Sequence, residues 1–405
     1  MHTIDVLIPV AALVFLTVLL LPGIRNNPFW QASVTPLASI IGSGFLIAAP
    51  LLGMSVGSAT PWAMLLIVVF AYWVGSVIRF NICHAEPREA DGTASGIHKT
   101  LEQVSNLGLL GAYIISVAFY LRLMSAFVLR GFDYFTETNA NVLTTAVLLF
   151  IGITGWRRGL KALEQLEEFS VSIKLAIIGA FFLGLALHDG STGLWGHIPE
   201  PQEMLVFDTL RLLAGMLLVV QGFETSRYLG NGYSPPMRVR TMRFAQLLSG
   251  VIYVSFAFLI LPLIQFIPPG QTNETGIIDL SRHVSVVLPV MLIFAAAMSQ
   301  FSAAVADTLG GGGLIYEESR TRVSTGWGYL VLAGFAIALV WSTSIFEIIA
   351  YASRAFAFYY LAQTLLAFHL ATTLPTGWRK GAIVTGFGVM AGLLAWIMVY
   401  AAPVG

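Results

Sequence analysis

Charge is scarce in this chain: Asp, Glu, Lys and Arg make up only 10% of its 405 residues, where a soluble domain carries about 25%. With 57% hydrophobic residues, too little polar surface remains to cover a globule of this size in water. The shortage runs through every third of the sequence, which describes one membrane domain and excludes a soluble enzyme. Cysteine is almost missing as well. Cys83 stands alone, so there is no intramolecular disulfide and no thiolate cluster for zinc or iron–sulfur. Nor is either charge sign in excess. Basic and acidic residues number 21 each, and without a global field there is nothing to draw nucleic acid. His2, His84, His98, His188, His197, His283 and His369 fall mostly near loops and helix ends and form no evident metal or haem arrangement. No cofactor and no catalytic site are expected.

What the chain has in abundance is apolar runs. A bilayer core about 30 Å thick needs roughly 20 helical residues to cross it. Twelve such runs lie between charged or Pro/Gly-rich breaks, at about 4–21, 33–55, 62–82, 106–130, 140–156, 168–188, 205–231, 243–267, 285–312, 327–342, 345–371 and 379–402. Lysine and arginine are retained on the cytoplasmic side of short loops. One alternating set of loops holds Arg25, Arg79, Arg88, Lys99, Arg157, Arg158, Lys161, Arg227, Arg238, Arg240, Arg243, Arg320, Arg322, Arg379 and Lys380. The opposite set holds only Arg130 and Arg282. A missed or invented helix would mix the two sets, so the split supports twelve spans with both termini away from the cytoplasm. The first run lacks a basic leader and a small-residue cleavage pattern, and reads as an uncleaved anchor, not a signal peptide.

Two runs are interrupted. The second reads Ile41-Gly42-Ser43-Gly44-Phe45 and the seventh Val220-Gln221-Gly222-Phe223-Glu224. Glycine costs a helix about 1 kcal/mol relative to alanine, and a break inside a membrane frees backbone groups that only protein or a water-filled cavity can satisfy. An isolated Gly-x-Gly could equally serve close helix packing. Here, with the first helix set aside, each interruption opens a set of five spans. Five is odd, so the two sets insert with opposite orientation, as in an inverted repeat whose broken helices form a midplane site. Half-helix starts suit a carboxylate, and released carbonyls suit an ammonium or a cation.

These two motifs resemble the first-helix glycine motif and the sixth-helix break of the amino acid, polyamine and organocation (APC) superfamily of secondary transporters, which have the LeuT fold. Arg157-Arg158-Gly159-Leu160-Lys161 is similar to the family's short basic loop after core helix four, and Tyr359-Tyr360-Leu361 sits where core helix ten often has aromatics. The resemblance implies an all-α polytopic protein with a LeuT-like five-plus-five inverted repeat. Residues 1–32 would form an extra N-terminal helix and linker. The core would span 33–371, with repeats at about 33–188 and 205–371, and 372–405 would add a C-terminal helix. It implies alternating access for an amino acid or related amine or organic acid, bound by Ile41, Gly42, Ser43, Gly44, Val220, Gln221, Gly222, Phe223 and Glu224. The extra N-terminal span departs from the family's usual cytoplasmic tail.

Lys174 lies about six residues into its span, roughly 9 Å from the cytoplasmic end. An amine held out of water exchanges its proton more readily, which makes it a candidate coupling group. By resemblance it matches the lysine whose ammonium replaces a bound sodium in sodium-independent members. The alternative is a fixed charge paired with Asp307 or with carbonyls of the broken helix. Ser299 and Ser302 keep a sodium site open. Tyr120, with Phe119 and Met124, can line the pocket, and Arg122 and Arg354 can attract an anion. Glu347, Tyr351 and Arg354 share a helix face and could form a gating network. Glu224 either meets a substrate amine or holds the broken helix by accepting N–H bonds. Gly310 to Gly313 allow close helix approach or a hinge. The expected protein is a proton-coupled or exchange carrier in the cell membrane, the inner membrane of a bacterium, with the bilayer, a small-molecule substrate and a proton as partners. Alternatives are a sodium-coupled carrier, a channel or a non-transporting sensor.

Overall fold

The computed structural model describes residues 3–42, 44–160, 166–193, 205–230, 232–267, 275–375 and 377–402, so Ser43, Lys161, His2 and His197 fall outside it. The chain is helical throughout, with no strand among the described residues. Helices α1 (Thr3–Leu19), α2 (Pro28–Ile40), α3 (Gly44–Val56), α4 (Thr60–His84), α5 (Gly96–Gly131), α6 (Glu137–Arg158) and α7 (Leu166–Thr192) form the first half. Helices α8 (Val206–Gly215), α9 (Pro235–Leu259), α10 (Gly276–Val284), α11 (Leu288–Glu318), α12 (Thr325–Ser342), α13 (Ile345–Thr372) and α14 (Trp378–Tyr400) form the second. Nine helical stretches among the described residues are long and apolar enough to cross a bilayer, the first running through α3 and α4. With α3 assigned to the α2–α3 pair and α4 left as the first stretch, the nine stretches, α1, that pair and the interrupted stretch 206–229 match the twelve apolar segments of the sequence. This is an integral, all-α polytopic membrane protein.

Helices dominate because a backbone in hydrocarbon must satisfy its N–H and C=O groups within itself. Their starts are marked by the expected side chains. Asn27 accepts from Phe29 N at 2.8 Å ahead of α2, and Ser95 accepts from His98 N at 3.2 Å ahead of α5. Ser344 and Glu347 form a reciprocal capping box on α13. Burial ranks the helices: 78% of the apolar window of α5 is buried against 22% for α14, so α5 is a central pillar and α14 a lipid-facing rim.

Glycines let the central helices approach. A β-carbon on Gly312 would stand 2.2 Å from the Tyr329 ring, and one on Gly310 would stand 2.8 Å from the Tyr113 ring. Gly310, Gly311 and Gly312 therefore form a contact surface between α11, α5 and α12, while Gly313 faces open space. Likewise α1 packs along α7, with Phe15 over Gly179 and Ile8 over Gly184.

Three boundaries differ from the sequence expectation. Helix α5 begins ten residues before its apolar run, because its cytoplasmic end is polar and hydropathy does not register it. Helix α9 begins at Pro235, which puts Arg238, Arg240 and Arg243 in its first turns instead of a loop. Arg79, counted with the loop cations, lies inside α4 and is buried.

Candidate substrate and coupling site

Helix α2 ends where its sequence stops supporting it. Pro36 already removes one amide donor from its interior, and the chain leaves the helix at Ile41, to resume at Gly44. Ending a helix leaves its last carbonyls without amide partners, and three other helices supply donors. Lys174 Nζ on α7 donates to Ala38 O at 3.0 Å. Tyr253 Oη on α9 lies 2.9 Å from Ile40 O. Ser299 Oγ on α11 lies 3.5 Å from Ile41 O and accepts from Lys174 Nζ at 3.1 Å. Gly42 N turns back to Ser39 O at 3.1 Å. The break is thus capped by side chains from outside its own helix.

The second break follows the same logic. Helix α8 stops at Gly215, whose carbonyl accepts from Ser353 Oγ at 2.6 Å. Two short 3₁₀ stretches follow, Leu217–Val220 and Phe223–Leu229, separated by Gln221 and Gly222. Gly222 has φ +115°, a region that side-chain-bearing residues rarely enter. Its amide donates to Glu224 Oε2 at 3.0 Å, and Tyr360 Oη donates to the same oxygen at 2.7 Å. Phe223 stacks on Tyr360 with centroids 5.1 Å apart. Gln221 Nε2 donates to Tyr120 Oη at 2.7 Å.

The two breaks touch. A β-carbon on Gly44 would stand 2.5 Å from Val219 Cα, and one on Gly222 would stand 2.3 Å from Ser39 Oγ. Tyr253 Oη also lies 2.6 Å from Val219 O, so its single proton is within reach of a carbonyl of each break. Beside them a cavity of about 20 Å³ lies between Gly42, Phe45, Lys174, Ile178, Ala296 and Ser299, room for roughly one water. Gln221 Oε1, Glu224 Oε1, Ser302 Oγ and Tyr359 Oη are buried without a hydrogen-bond partner among the described residues. Leaving such a group unmade costs about 1–3 kcal/mol, which a bound solute or water can recover.

Other expected residues are placed elsewhere. Asp307 accepts from Ser116 of α5 and sits eight residues beyond Ser299, about 12 Å along the helix. Arg122 pairs with Glu137 across the α5–α6 connection. Arg354 donates to Ala401 O at 2.6 Å, and Glu347 accepts from Ser344 N at 2.8 Å. The shared face of Glu347, Tyr351 and Arg354 therefore carries two separate tethers, and Tyr351 is exposed.

A set of ion pairs that the sequence did not reveal closes the site on the side of the basic loops. Arg227, in the second 3₁₀ stretch, donates to Glu102 of α5 at 3.0 Å and lies 3.5 Å from Glu86. Arg238 of α9 meets Glu86 at 2.5 Å and donates to Arg227 O at 3.0 Å. Gln363 of α13 donates to Glu102 Oε2 at 3.3 Å and accepts from Asn81 of α4 at 2.7 Å. Tyr253 was missed as well, because an aromatic on a membrane helix carries no local sign of its partners.

A sequence-family model described as APC superfamily transporter matches residues 22–401. A protein of Aquifex aeolicus (strain VF5) called "Uncharacterized protein" is 48% identical over 366 residues, covering 90% of this chain and 89% of its own. The match begins after α1, at the short turn that leads into α2.

Proposed function

The chain belongs to the APC superfamily of transporters, and from that premise we propose that it is a secondary active carrier of the LeuT-like inverted-repeat type. Residues 33–188 and 205–371 form the two repeats, with α1 and α14 outside them, in the inner membrane of a bacterium. The observation that carries this reading is the contact between two interrupted helices, one per repeat, whose glycines allow backbone approach at Gly44 and Gly222. Between them lie main-chain groups and the unspent acceptors Gln221 Oε1 and Glu224 Oε1. Buried acceptors of this kind favour a solute bearing N–H donors, such as an amino acid or a small amine. Ile41, Gly42 and Val220 contribute backbone, and Phe223 and Tyr120 shape the walls.

Lys174 is the coupling group. Its ammonium bridges Ala38 O on the first broken helix and Ser299 on α11, the combination of carbonyl and hydroxyl that a sodium ion would otherwise use. Protonated, it holds the end of α2 against α11 through charge-assisted bonds, and losing the proton removes the charge and weakens that grip. Ser302 and Asp307 complete the polar face of α11. This favours proton-coupled transport or exchange over sodium coupling.

The test is uptake of a labelled amino acid and amine mixture by the purified protein in liposomes. Saturable accumulation or exchange supports a carrier. Unsaturable conductance, or binding without flux, would replace it with a channel or a sensor.

A further inference from the structure

Helices α4 and α9 do not close on each other along their whole length. Between them the outer surface opens into a groove of about 430 Å³, walled by Leu65, Val69, Leu247, Val251 and Val254 and ending at Tyr72 and Gln246. Val69 is 56% and Val251 64% exposed, so the mouth faces the bilayer. Helix α4 runs toward the side of the basic loops and α9 away from it, which puts the Tyr72–Gln246 end toward the cytoplasm.

At that end sits a cation with no opposite charge. Arg79 is two turns beyond Tyr72, and helical side chains lean toward the N-terminus. Its guanidinium accordingly reaches deeper into the membrane instead of out toward water. It donates to Tyr72 O at 3.1 Å, bonds Gln246 Oε1 and lies 4.6 Å from the centroid of the Tyr72 ring. All three partners are neutral, and among the described residues no carboxylate pairs with it. A second arginine, the exposed Arg243, precedes Gln246 by three residues on α9, about one helical turn. An intramembrane cation is normally paired or functional. Here one buried cation, with a surface arginine a turn away from Gln246, borders the cytoplasmic mouth of an apolar, bilayer-facing slot.

We infer that this slot is a binding site for an anionic phospholipid of the cytoplasmic leaflet, with its phosphate against Arg79 and Arg243 and one acyl chain lying along Leu65 to Val254. Charge selects the occupant. A neutral lipid or a second copy of an apolar helix would fill the slot and leave the cations unmatched. The site also reaches the transport machinery. Val68, Tyr72, Gln246 and Gly250 line both this groove and a small inner void bounded by Ile40, Val220 and Tyr253. A chain in the slot braces α9 directly behind the hydroxyl that joins the two helix breaks.

The experiment is native mass spectrometry of the full-length protein purified from vesicles of equal phosphatidylglycerol and phosphatidylcholine with matched chains. Retention of phosphatidylglycerol over phosphatidylcholine is expected. Surface cations contribute enough attraction that Arg243→Gln, at an exposed position, should lower this preference by about fivefold. Arg79→Gln should lower it at least as much. Val69→Trp and Val251→Trp, both on the lipid face, should reduce retention of either lipid by filling the groove. Equal retention of the two lipids, or a preference unmoved by Arg243→Gln, would overturn the charge recognition. Retention unmoved by both tryptophan variants would overturn the groove as the place, and capture of free fatty acid alone would overturn the phospholipid.

Discussion

Tyr253 and Ile40 are joined across α9 and α2, with the tyrosine Oη 2.9 Å from the Ile40 carbonyl oxygen, and the same hydroxyl lies 2.6 Å from Val219 O. One hydroxyl proton is therefore shared between carbonyls of the two helix breaks. Tyr253→Phe removes the hydroxyl and keeps the ring, which packs on Phe45 with centroids 5.6 Å apart. Buried acceptors left unmade cost about 1–3 kcal/mol. The variant should fold, unfold at lower temperature in detergent, and transport more slowly. An unchanged melting temperature and rate would show that the hydroxyl is not a cap.

Gly222→Ala meets two obstacles at once, a positive φ and the Ser39 side chain. Strained backbone of this kind costs on the order of 1–3 kcal/mol, and the clash adds to it. Ser39→Ala in the same chain should rescue little, because Ser39 Cβ would also stand 2.6 Å away. Gly392→Ala on α14, where no heavy atom lies within 4 Å of the added carbon, is the control that should be neutral. Expression and melting temperature of the variants read this directly.

Glu224→Gln keeps an oxygen able to accept from Gly222 N and Tyr360 but removes the charge. The fold should survive. A solute that stabilises the native protein by mass action through its amine should lose most of that effect in the variant. Equal stabilisation of both proteins would confine Glu224 to holding the broken helix.

Arg238→Gln unties Glu86 and weakens the hold on Arg227 O. Breaking a fully buried pair costs about 3–5 kcal/mol, and here the loss should be smaller because Glu86 retains contact with water. The amides of residues 223–229 should exchange faster with solvent, while those of α5 and α11 stay protected. Unchanged exchange at 223–229 would remove this cluster from the closure of the cytoplasmic side.

Lys174→Ala deletes the donor to Ala38 O. Uptake by reconstituted wild-type protein should vary with pH and uptake by the folded variant should not. A variant that keeps the wild-type pH profile would remove Lys174 from coupling.

Much of the fold was legible because hydrophobic runs and basic loops are each dictated by the bilayer. The breaks were legible too, since glycines beside polar residues are costly in mid-membrane and therefore conspicuous. Lys174 stood out for the same reason. What the sequence could not show is which distant groups finish each break. Ala38 O, Tyr253 Oη and Ser299 Oγ come from three helices, and their convergence depends on helix rotation, which hydropathy does not encode. The ion pairs of Glu86, Glu102, Arg227 and Arg238 stayed hidden because each looked like an ordinary solvated charge near a helix end. Arg79 is grouped with the loop cations because it stands three residues from the end of its apolar run, and only the structure turns its guanidinium inward to Tyr72 O.

The most direct test of the paired breaks as the solute site is hydrogen exchange with and without a solute that the protein transports. Protection should rise together in the segments around Ile41 and Gly222, while the ends of α12 and α14 remain unchanged. Robust transport accompanied by protection in only one segment, or in neither, would contradict a site built between the two interrupted helices.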